Sequence, residues 1–324
     1  MSIDGKRCLV TGAAGFIGSH LCRRLVGQGV QVHALVRPGT SLDRLSDLEG
    51  QMELHRVDLE DGDAVFAALE KAEPQIVFHL ATPTRFSEGG AVANAGASVD
   101  KILKPLVSLV ESLAALPEPP ENLVRAGTIA EYGNSAFPYR EEQREAPVTA
   151  YGTAMLAGTH YLALLQDDLP FPTVTARLGL TYGEGQSPDF FVPSLFHACR
   201  TGQPIRVQRP EDRRDLIHVD DVVDALILMG RNALPGARHV NISTGQAPTM
   251  AQVASLVTEL VGCNHALVET ASTSHAYRPS ILLSDPALAS QIYGWKSRIG
   301  IARGLQMLAE SQAEQTSTLR QQHA

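Results

Sequence analysis

Cysteine is scarce in this sequence, and its few copies stand far apart. Cys8, Cys22, Cys199 and Cys263 form no C-x-x-C pair. A disulfide framework or a structural zinc site is built from closely and regularly spaced cysteines. The sequence therefore indicates neither of these.

Long apolar runs are also missing. No run reaches the roughly 18 residues of a membrane-spanning helix. Residues 1–7 lead directly into a short apolar strand rather than into the apolar centre of a signal peptide. We therefore expect a cytoplasmic protein that neither crosses a membrane nor follows the secretory route.

Positive charge is in deficit as well. Lysine and arginine together number 27 against 35 aspartates and glutamates, which gives a formal net charge of −8. A nucleic acid is therefore a poor match as a partner, although a local basic patch can still bind small phosphates. The remaining composition, with 44% apolar and 5% aromatic residues among 324, is that of a globular protein with a large core.

Short β-rich runs alternate with helix-length amphipathic segments as far as residue 178. The runs predict strands at 8–10, 30–36, 51–57, 75–80, 123–126 and 173–178. The segments between them predict helices at 16–27, 63–72, 103–116 and 151–166. This βαβ series predicts an α/β fold with a doubly wound parallel sheet of the Rossmann type.

After residue 178 the alternation gives way to turn-rich sequence, and it resumes only briefly, at 220–229 and 239–242. We therefore predict a smaller C-terminal lobe that is interleaved with the first. The predicted domains are a dinucleotide-binding domain of residues 1–178 plus about 216–243, and a substrate-binding lobe of about 179–215 plus 244–324.

A glycine-rich turn follows the first predicted strand and opens the first predicted helix. Gly12, Gly15 and Gly18 lie where the backbone must approach a pyrophosphate closely and where helix N–H groups point at it. The alternative is a tight turn whose glycines only permit close packing. Because strand, loop and helix are all in place, dinucleotide binding is the preferred interpretation.

The end of the second predicted strand bears on the choice of cofactor. NAD sites place an acidic residue there to accept hydrogen bonds from the ribose, whereas a basic residue accommodates the 2′-phosphate of NADP. Arg37 stands at this point, so NADP is favoured over NAD, although Arg37 can also stack on adenine or remain solvated. Asp58, after the third strand, is placed to accept from the adenine amino group or to cap a helix.

Several further motifs occur in a fixed order along the chain. They are Thr11-Gly-Ala-Ala-Gly-Phe-Ile-Gly18, His79-Leu-Ala-Thr82, Tyr132-Gly133, Tyr151-Gly152, Arg177-Leu-Gly-Leu-Thr-Tyr-Gly183, Arg214-Asp-Leu-Ile-His-Val-Asp-Asp221 and Ser243-Thr-Gly245. Together they resemble the extended short-chain dehydrogenases/reductases, a family of nucleotide-sugar epimerases, dehydratases and ketoreductases. The resemblance covers nearly the whole chain, and it implies a nucleotide-sugar substrate and a homodimer formed through two long helices.

The resemblance also implies cofactor contacts and a sub-family. The contacts are Gly12, Gly15, Phe16, Ile17, Gly18, Arg37, Asp58, Leu59, Leu80, Ala81, Thr82 and Tyr151. The stretches around Arg37, His79 and Lys104 are most similar to NADPH-dependent reductases of nucleoside-diphosphate 4-keto-6-deoxysugars. A 4,6-dehydratase is disfavoured, because Ile129 and Ala130 stand where that chemistry needs an acid and a base.

The family's proton-transfer pair is a tyrosine with a lysine four residues later. Tyr151 matches the tyrosine, but Met155 stands at the lysine position. Without that cation a tyrosine keeps a pKa of about 10 and stays protonated at neutral pH. Such a tyrosine is a poor base for oxidising an alcohol but a suitable donor for reducing a ketone, so the change favours a reductase. None of the five lysines lies in a family active-site segment, which leaves water or an arginine to replace it.

Two residues of the loop after the fifth predicted strand are expected near the substrate. Thr128 matches the family's hydroxyl partner for the substrate oxygen, and a neutral donor there suits a carbonyl. Its alternative role is to cap a turn. Glu131 lies one position away from the dehydratase carboxylates, and is expected either in contact with the substrate or solvated on the loop.

Arginines are the expected ligands of a substrate diphosphate, because guanidinium groups bind phosphate oxygens in pairs. Arg214 and Arg278 match diphosphate ligands of the family, and Arg213 is a further candidate. Asp212 and Asp215 flank this region, so surface salt bridges are the alternative, above all for Arg213.

Three hypotheses about function follow. The first is NADPH-dependent reduction of a nucleoside-diphosphate keto sugar; the second is an NAD-dependent nucleotide-sugar epimerase of the same family. The third is a catalytically silent protein that binds cofactor and nucleotide sugar. No metal site is predicted, since His160, His197 and His218 have no ligand spacing.

Overall fold

A central parallel sheet organises the structure of this protein. The structure is a computed structural model that describes residues 3–84, 90–235, 239–271 and 278–322. In the last helix it describes side chains as far as residue 313. The strands are β1 Arg7–Thr11, β2 Gln31–Val36, β3 Glu53–Arg56, β4 Ile76–His79, β5 Asn122–Thr128, β6 Thr173–Leu178, β7 Leu180–Tyr182, β8 Ile205–Val207, β9 Arg213–Arg214, β10 Leu216–His218, β11 His239–Ile242, β12 Val268–Thr270 and β13 Ile281–Leu282. Seven of them form the sheet, in the order β11-β6-β5-β4-β1-β2-β3.

Helices connect these strands. They are α1 Phe16–Val26, α2 Gly62–Ala72, α3 Ala91–Ser98, α4 Lys104–Ala114, α5 Ala150–Leu165, α6 Phe191–Thr201, α7 Val219–Arg231, α8 Met250–Val261, α9 Ala287–Tyr293 and α10 Ile301–Gln322. One turn of π-helix, Val99–Leu103, joins α3 to α4, and a 3₁₀ turn, Ile129–Glu131, follows β5.

The strand order reverses direction between β1 and β4, as in a doubly wound sheet. All neighbouring strands in this sheet pair in parallel. The six strands predicted before residue 178 are all present, and β11 adds a seventh at the edge. The predicted α/β fold with a doubly wound parallel sheet is therefore confirmed.

Helices cover both faces of the sheet because its strands are apolar on both sides. On one face, Leu21 and Leu25 of α1 pack with Leu226 of α7. On the other, Leu69 of α2 and Leu109 of α4 belong to a second buried cluster, to which α5 also contributes. Burying one such leucine contributes about 1.5–3 kcal/mol relative to leaving it exposed. The sheet edge formed by the strands' carboxyl ends stays uncovered by this packing, which leaves it available for a ligand.

A separate hydrophobic cluster lies in the second half of the chain. It joins α6, α8 and α10 through Leu195, Phe196, Val253, Val257 and Leu305. Three short parallel strand pairs accompany these helices: β7 with β10, β8 with β12 and β9 with β13. The division into two domains at the predicted boundaries stays a prediction.

The fold brings two distant cysteines together. Cys199, near the end of α6, and Cys263, after α8, have Sγ atoms 2.8 Å apart, and all four cysteines are free thiols. Their spacing of 64 residues gives no sequence signal for this contact.

Within the described residues, no helix combines the length and the apolar character that crossing a membrane requires.

Candidate active site

The glycine-rich turn between β1 and α1 is folded so tightly that side chains are excluded. Gly12 has a φ of +68°, and a Cβ there would lie 2.8 Å from the backbone nitrogen of Ala81. A Cβ on Gly18 would lie 2.2 Å from the carbonyl oxygen of Gly12. Gly12 therefore needs glycine for both conformation and close approach, whereas Gly18 needs it for close approach alone. The turn therefore opens the N-terminus of α1 towards the carboxyl edge of the sheet.

A cavity of about 700 Å³ lies beside this turn, within the range of small-molecule sites. Eight of the predicted cofactor contacts line it: Gly12, Gly15, Arg37, Asp58, Leu59, Leu80, Ala81 and Thr82. The other four do not belong to its lining. Phe16 and Ile17 pack against the core instead, and Gly18 is buried beneath the turn. Tyr151 is partly buried on α5, next to Met155.

The end of β4 is fixed to β1 by a threonine and a histidine. Thr11 Oγ1 accepts hydrogen bonds from the backbone N–H groups of Leu80 and Ala81, both at 3.2 Å. Its own hydroxyl hydrogen is then available for His79 Nδ1, which lies 2.9 Å away. Burial and the Arg125 guanidinium lower the pKa of His79 to about 3, so this imidazole stays neutral. The arrangement holds the segment from Leu80 to Thr82 at the cavity wall.

Among the lining residues that were not anticipated from the sequence, Asn94 and Lys101 carry polar groups. Asn94 of α3 contributes a buried Oδ1 that has no hydrogen-bond partner among the described residues. Lys101 lies on the π-helical turn and also lines the cavity. Such turns occur often at functional sites, but they have no simple sequence signature. The lysine ammonium suits a phosphate group, and the asparagine oxygen suits a hydrogen-bond donor of the same ligand, such as a hydroxyl.

The polar groups that line this cavity fit a dinucleotide. The turn at Gly12 and Gly15 leads into a helix N-terminus, which favours phosphate. Arg37 and Asp58 lie at the ends of β2 and β3, where the adenosine half of such a cofactor binds. The unpartnered Asn94 oxygen provides a further polar contact. These residues can therefore hold a nicotinamide dinucleotide.

Tyr151 is the second residue of α5, and the start of this helix is fixed by Thr149. The Thr149 Oγ1 accepts from the backbone N–H of Gly152 at 3.0 Å. The pKa of Tyr151 is raised to about 12, first by burial and then by the Glu131 carboxylate; a hydrogen bond with Thr128 and the Arg125 guanidinium act in the opposite direction. This value lies above the ordinary one expected from the sequence. The Tyr151 hydroxyl is thus held as a proton donor.

Met155, four residues after Tyr151, is 1% exposed and packs against Ile102, Ala154 and Tyr151. A buried arginine of β5 lies against it. Arg125 Nη2 donates to the Met155 carbonyl oxygen at 2.9 Å and lies 3.5 Å from its Sδ. A guanidinium group, contributed by a strand, therefore stands next to this part of α5.

Glu131 does not fit the alternative of a solvated loop residue. It is fully buried rather than solvated, and both of its oxygens are engaged by the protein. Oε1 accepts from the backbone N–H of Thr128 at 3.1 Å, and Oε2 accepts from Thr159 Oγ1 and from Arg177 Nε, both at 2.8 Å. Thr159 in turn accepts from Arg125 Nη1 at 3.0 Å. Glu131 therefore links β5, α5 and β6, and its contact with a substrate stays a prediction.

The substrate arginines also differ in their surroundings. Arg214 Nη2 donates to Asp212 Oδ2 at 2.5 Å and to Ser280 Oγ at 2.8 Å. The ion pair foreseen for Arg213 thus falls on Arg214, while Arg213 is exposed and donates to a backbone carbonyl. Arg278 is exposed and lies two residues before Ser280. The pairing of β9 with β13 brings all three arginines to one part of the second half of the chain.

The chain is similar to known proteins over most of its length. Residues 8–243 match the model of the NAD dependent epimerase/dehydratase family. The chain is 30% identical over 242 residues to a probable UDP-glucuronate 4-epimerase of Rhizobium meliloti (strain 1021), which covers 68% of this chain and 67% of that protein. It is 29% identical over 272 residues, 79% of each chain, to dTDP-6-deoxy-L-talose 4-dehydrogenase (NAD(P)(+)) of Kitasatospora kifunensis.

Among solved structures, MoeE5 in complex with UDP-glucuronic acid and NAD superposes with a TM-score of 0.81 at 28% identity, covering 95% of this chain and 99% of that one. The family match begins within β1 and includes the glycine-rich turn and α5. This chain belongs to the NAD dependent epimerase/dehydratase family, and it is an NAD(P)-dependent enzyme of the extended short-chain dehydrogenase/reductase type.

Proposed function

We propose that this enzyme reduces the keto group of a nucleoside-diphosphate sugar, with NADPH as reductant. The observation that carries the proposal is the state of Tyr151. Its pKa is raised to about 12, and the position one helical turn later is Met155 rather than a cation. A tyrosine in this environment stays protonated near neutral pH. It can donate its proton to a carbonyl oxygen that becomes an alkoxide during reduction. It does not act as a base near neutral pH, as alcohol oxidation requires.

NADPH is proposed because of the charge at the end of β2. Arg37 lines the cavity where an NAD site would carry an acidic residue, and a guanidinium group pairs well with a phosphate. Gly12 and Gly15 would hold the pyrophosphate, and Asp58 would accept from the adenine amino group. When bound, the nicotinamide supplies a hydride to the carbonyl carbon of the substrate.

The chain's own residues then handle the proton and the oxygen. Thr128 and Tyr151 both present hydroxyl groups, and the hydrogen bond between them lowers the pKa of Tyr151 less than burial raises it. In the proposed reaction both hydroxyls donate to the carbonyl oxygen, and Tyr151 transfers its proton as the C–H bond forms. Thr128 is positioned by its backbone N–H, which donates to Glu131.

Arg278 is the proposed ligand of the substrate diphosphate. It is exposed, whereas most donors of Arg214 are engaged by Asp212, the Ser280 hydroxyl and two backbone carbonyls. Arg214 therefore acts in this proposal by holding the segment around Ser280, from which Arg278 reaches the substrate.

The proposed assembly is a homodimer formed through α5 and its neighbourhood. Large apolar side chains are exposed along this surface: Val92 on α3, Val148 before α5, and Tyr161 and Leu164 on α5. Covering such a patch is favourable, and patches of this kind commonly mark protein interfaces. Analytical ultracentrifugation of the protein and of Leu164→Glu tests it, with a monomeric wild-type protein as the refuting result.

Epimerisation is the second candidate, because several relatives carry that name, among them the probable UDP-glucuronate 4-epimerase and UDP-glucose 4-epimerase of Mycolicibacterium smegmatis. An epimerase needs Tyr151 to act as base and as acid in turn, with NAD retained between the two steps. The raised pKa of Tyr151 opposes the first of these steps.

The decisive experiment follows NADPH consumption with a panel of nucleoside-diphosphate 4-keto-6-deoxysugars and, in parallel, epimer exchange of UDP-hexoses with NAD. We expect stoichiometric NADPH oxidation that Tyr151→Phe removes. Tyr161→Phe, which changes an exposed tyrosine of the same helix, is the matched control. Epimer exchange without net cofactor consumption would establish an epimerase. The absence of activity in both assays would favour a binding protein.

A further inference from the structure

Two histidines and a glutamate face one another on the edge strand β3 and its neighbour β2, away from the glycine turn. His33 is in register with Glu53, and His55 follows two residues later on β3. Because side chains alternate between the two faces of a sheet, all three project from the same face. Lys71 of α2 forms an ion pair with Glu53, so this is the face that α2 covers.

The ligand-type atoms of these residues are already close. His33 Nδ1 lies 3.1 Å from His55 Nε2 and 3.6 Å from Glu53 Oε2. One such atom from each residue lies within 4.8 Å of the other two. Zinc binds imidazole nitrogen and carboxylate oxygen at about 2.0–2.2 Å, so tetrahedral ligands stand roughly 3.3–3.4 Å apart. The two separations measured from His33 Nδ1 lie on either side of that value and close to it.

The surroundings suit a bound ion as well. His33 and His55 are 7% and 6% exposed, so their rings are held by packing before any ion arrives. The Glu53 side chain is 41% exposed, which leaves a path from solvent. Two imidazoles and one carboxylate favour zinc over calcium or magnesium, which prefer six or more oxygen ligands.

We propose that His33, Glu53 and His55 bind one zinc ion, with a water molecule as the fourth ligand. Lys71 competes for Glu53 in the metal-free protein and is displaced when zinc binds. The ion would tie the edge strand β3 to β2 a few residues before Arg37 and Asp58, so it would brace the wall of the cofactor cavity. It takes no part in the proposed reduction.

The test measures zinc binding to the chelator-treated full-length protein by competition with a chromophoric chelator. We expect about one equivalent bound with a dissociation constant of about 1 µM or below. His33→Ala and His55→Ala should each weaken binding by about 100-fold or more. Lys71→Ala should tighten it several-fold, and because the Lys71 side chain is 68% exposed, this variant keeps its fold. Lys104→Ala, which removes an exposed lysine from another ion pair, is the matched control.

The competing zinc ligands in this protein are the paired thiols of Cys199 and Cys263. Cys199→Ser/Cys263→Ser should therefore bind zinc as the wild type does, and the cobalt(II) form should show no thiolate charge-transfer band. Three results would overturn the proposal: less than a tenth of an equivalent bound, a thiolate band, or equal affinity in the wild type, His33→Ala and Lys71→Ala.

Discussion

Replacing Met155 by lysine, the residue that the sequence resemblance predicts four positions after Tyr151, is expected to destabilise this protein. The side chain at position 155 is buried, and the Arg125 Nη2 lies 3.5 Å from its sulfur. A lysine ammonium on the same path would lie about 4 Å from the guanidinium, where two like charges repel by about 4 kcal/mol at an effective dielectric constant of about 20. Glu131, linked to Arg125 through Thr159, offsets part of this. We therefore expect a net charge effect of about 2–4 kcal/mol.

The pH dependence isolates that charge. A destabilisation of 2–4 kcal/mol corresponds to a lysine pKa lowered by about 1.5–3 units from about 10.4 in the folded state. Between the folded and unfolded pKa values the unfolded chain binds more protons, so the stability of the variant rises with pH through this window. The cost is complete below the folded pKa and disappears above about pH 10.4.

The measurement is urea unfolding of Met155→Lys and Met155→Gln at pH 7, 8.5 and 10. Glutamine keeps the length of methionine and adds a polar group without a charge, so the difference between the two variants should be largest at pH 7 and small at pH 10. Adding Arg125→Met to Met155→Lys should cost less than Arg125→Met costs alone. Equal stability of the lysine and glutamine variants at every pH would show that position 155 does not face a charged arginine.

Three further predictions concern the ligands. Arg37→Asp should convert a several-fold preference for NADPH into one for NADH, as measured by calorimetric titration; a wild-type preference for NADH would refute the role of Arg37. Tyr151→Phe should lower turnover by ~10²–10⁴ with substrate binding retained, and the wild-type rate should show no loss up to about pH 10, because the Tyr151 pKa is about 12. Arg278→Ala should weaken nucleoside-diphosphate binding by about 1.5–3 kcal/mol without changing NADPH affinity; equal loss of both ligands would indicate a structural role.

The fold was predictable because its signals are local. Strands and helices alternate with recognisable hydrophobic periods, and the turn after β1 tolerates only glycine at Gly12 and Gly18. Both signals come from residues that are close together in the sequence. Most of the predicted cofactor contacts line one cavity for the same reason: parallel strands end at one edge of the sheet, so residues that follow strands converge there.

The groups around Tyr151 could not be predicted in this way, because they depend on pairs far apart in the sequence. Arg125 on β5 meets Met155 on α5, and Arg177 on β6 meets Glu131. A buried charge is costly unless partners surround it, but the sequence does not state which residues those partners are. For this reason the sequence predicted Glu131 only as a residue of the loop after the fifth strand. Its burial becomes understandable only when two strands and a helix deliver its three donors.

The same reasoning explains why the histidine cluster was missed. Metal motifs are recognised by ligands at short spacings along one chain segment, whereas His33 and His55 are 22 residues apart on different strands. What brings them together is the register of β2 with β3, which sets His33 against Glu53. A slip of one residue would send the β3 side chains to the opposite face and dismantle the cluster. The hydrophobic pattern that fixes this register, with Leu54 packed on one side of the sheet and Leu35 on the other, therefore also fixes the proposed zinc site.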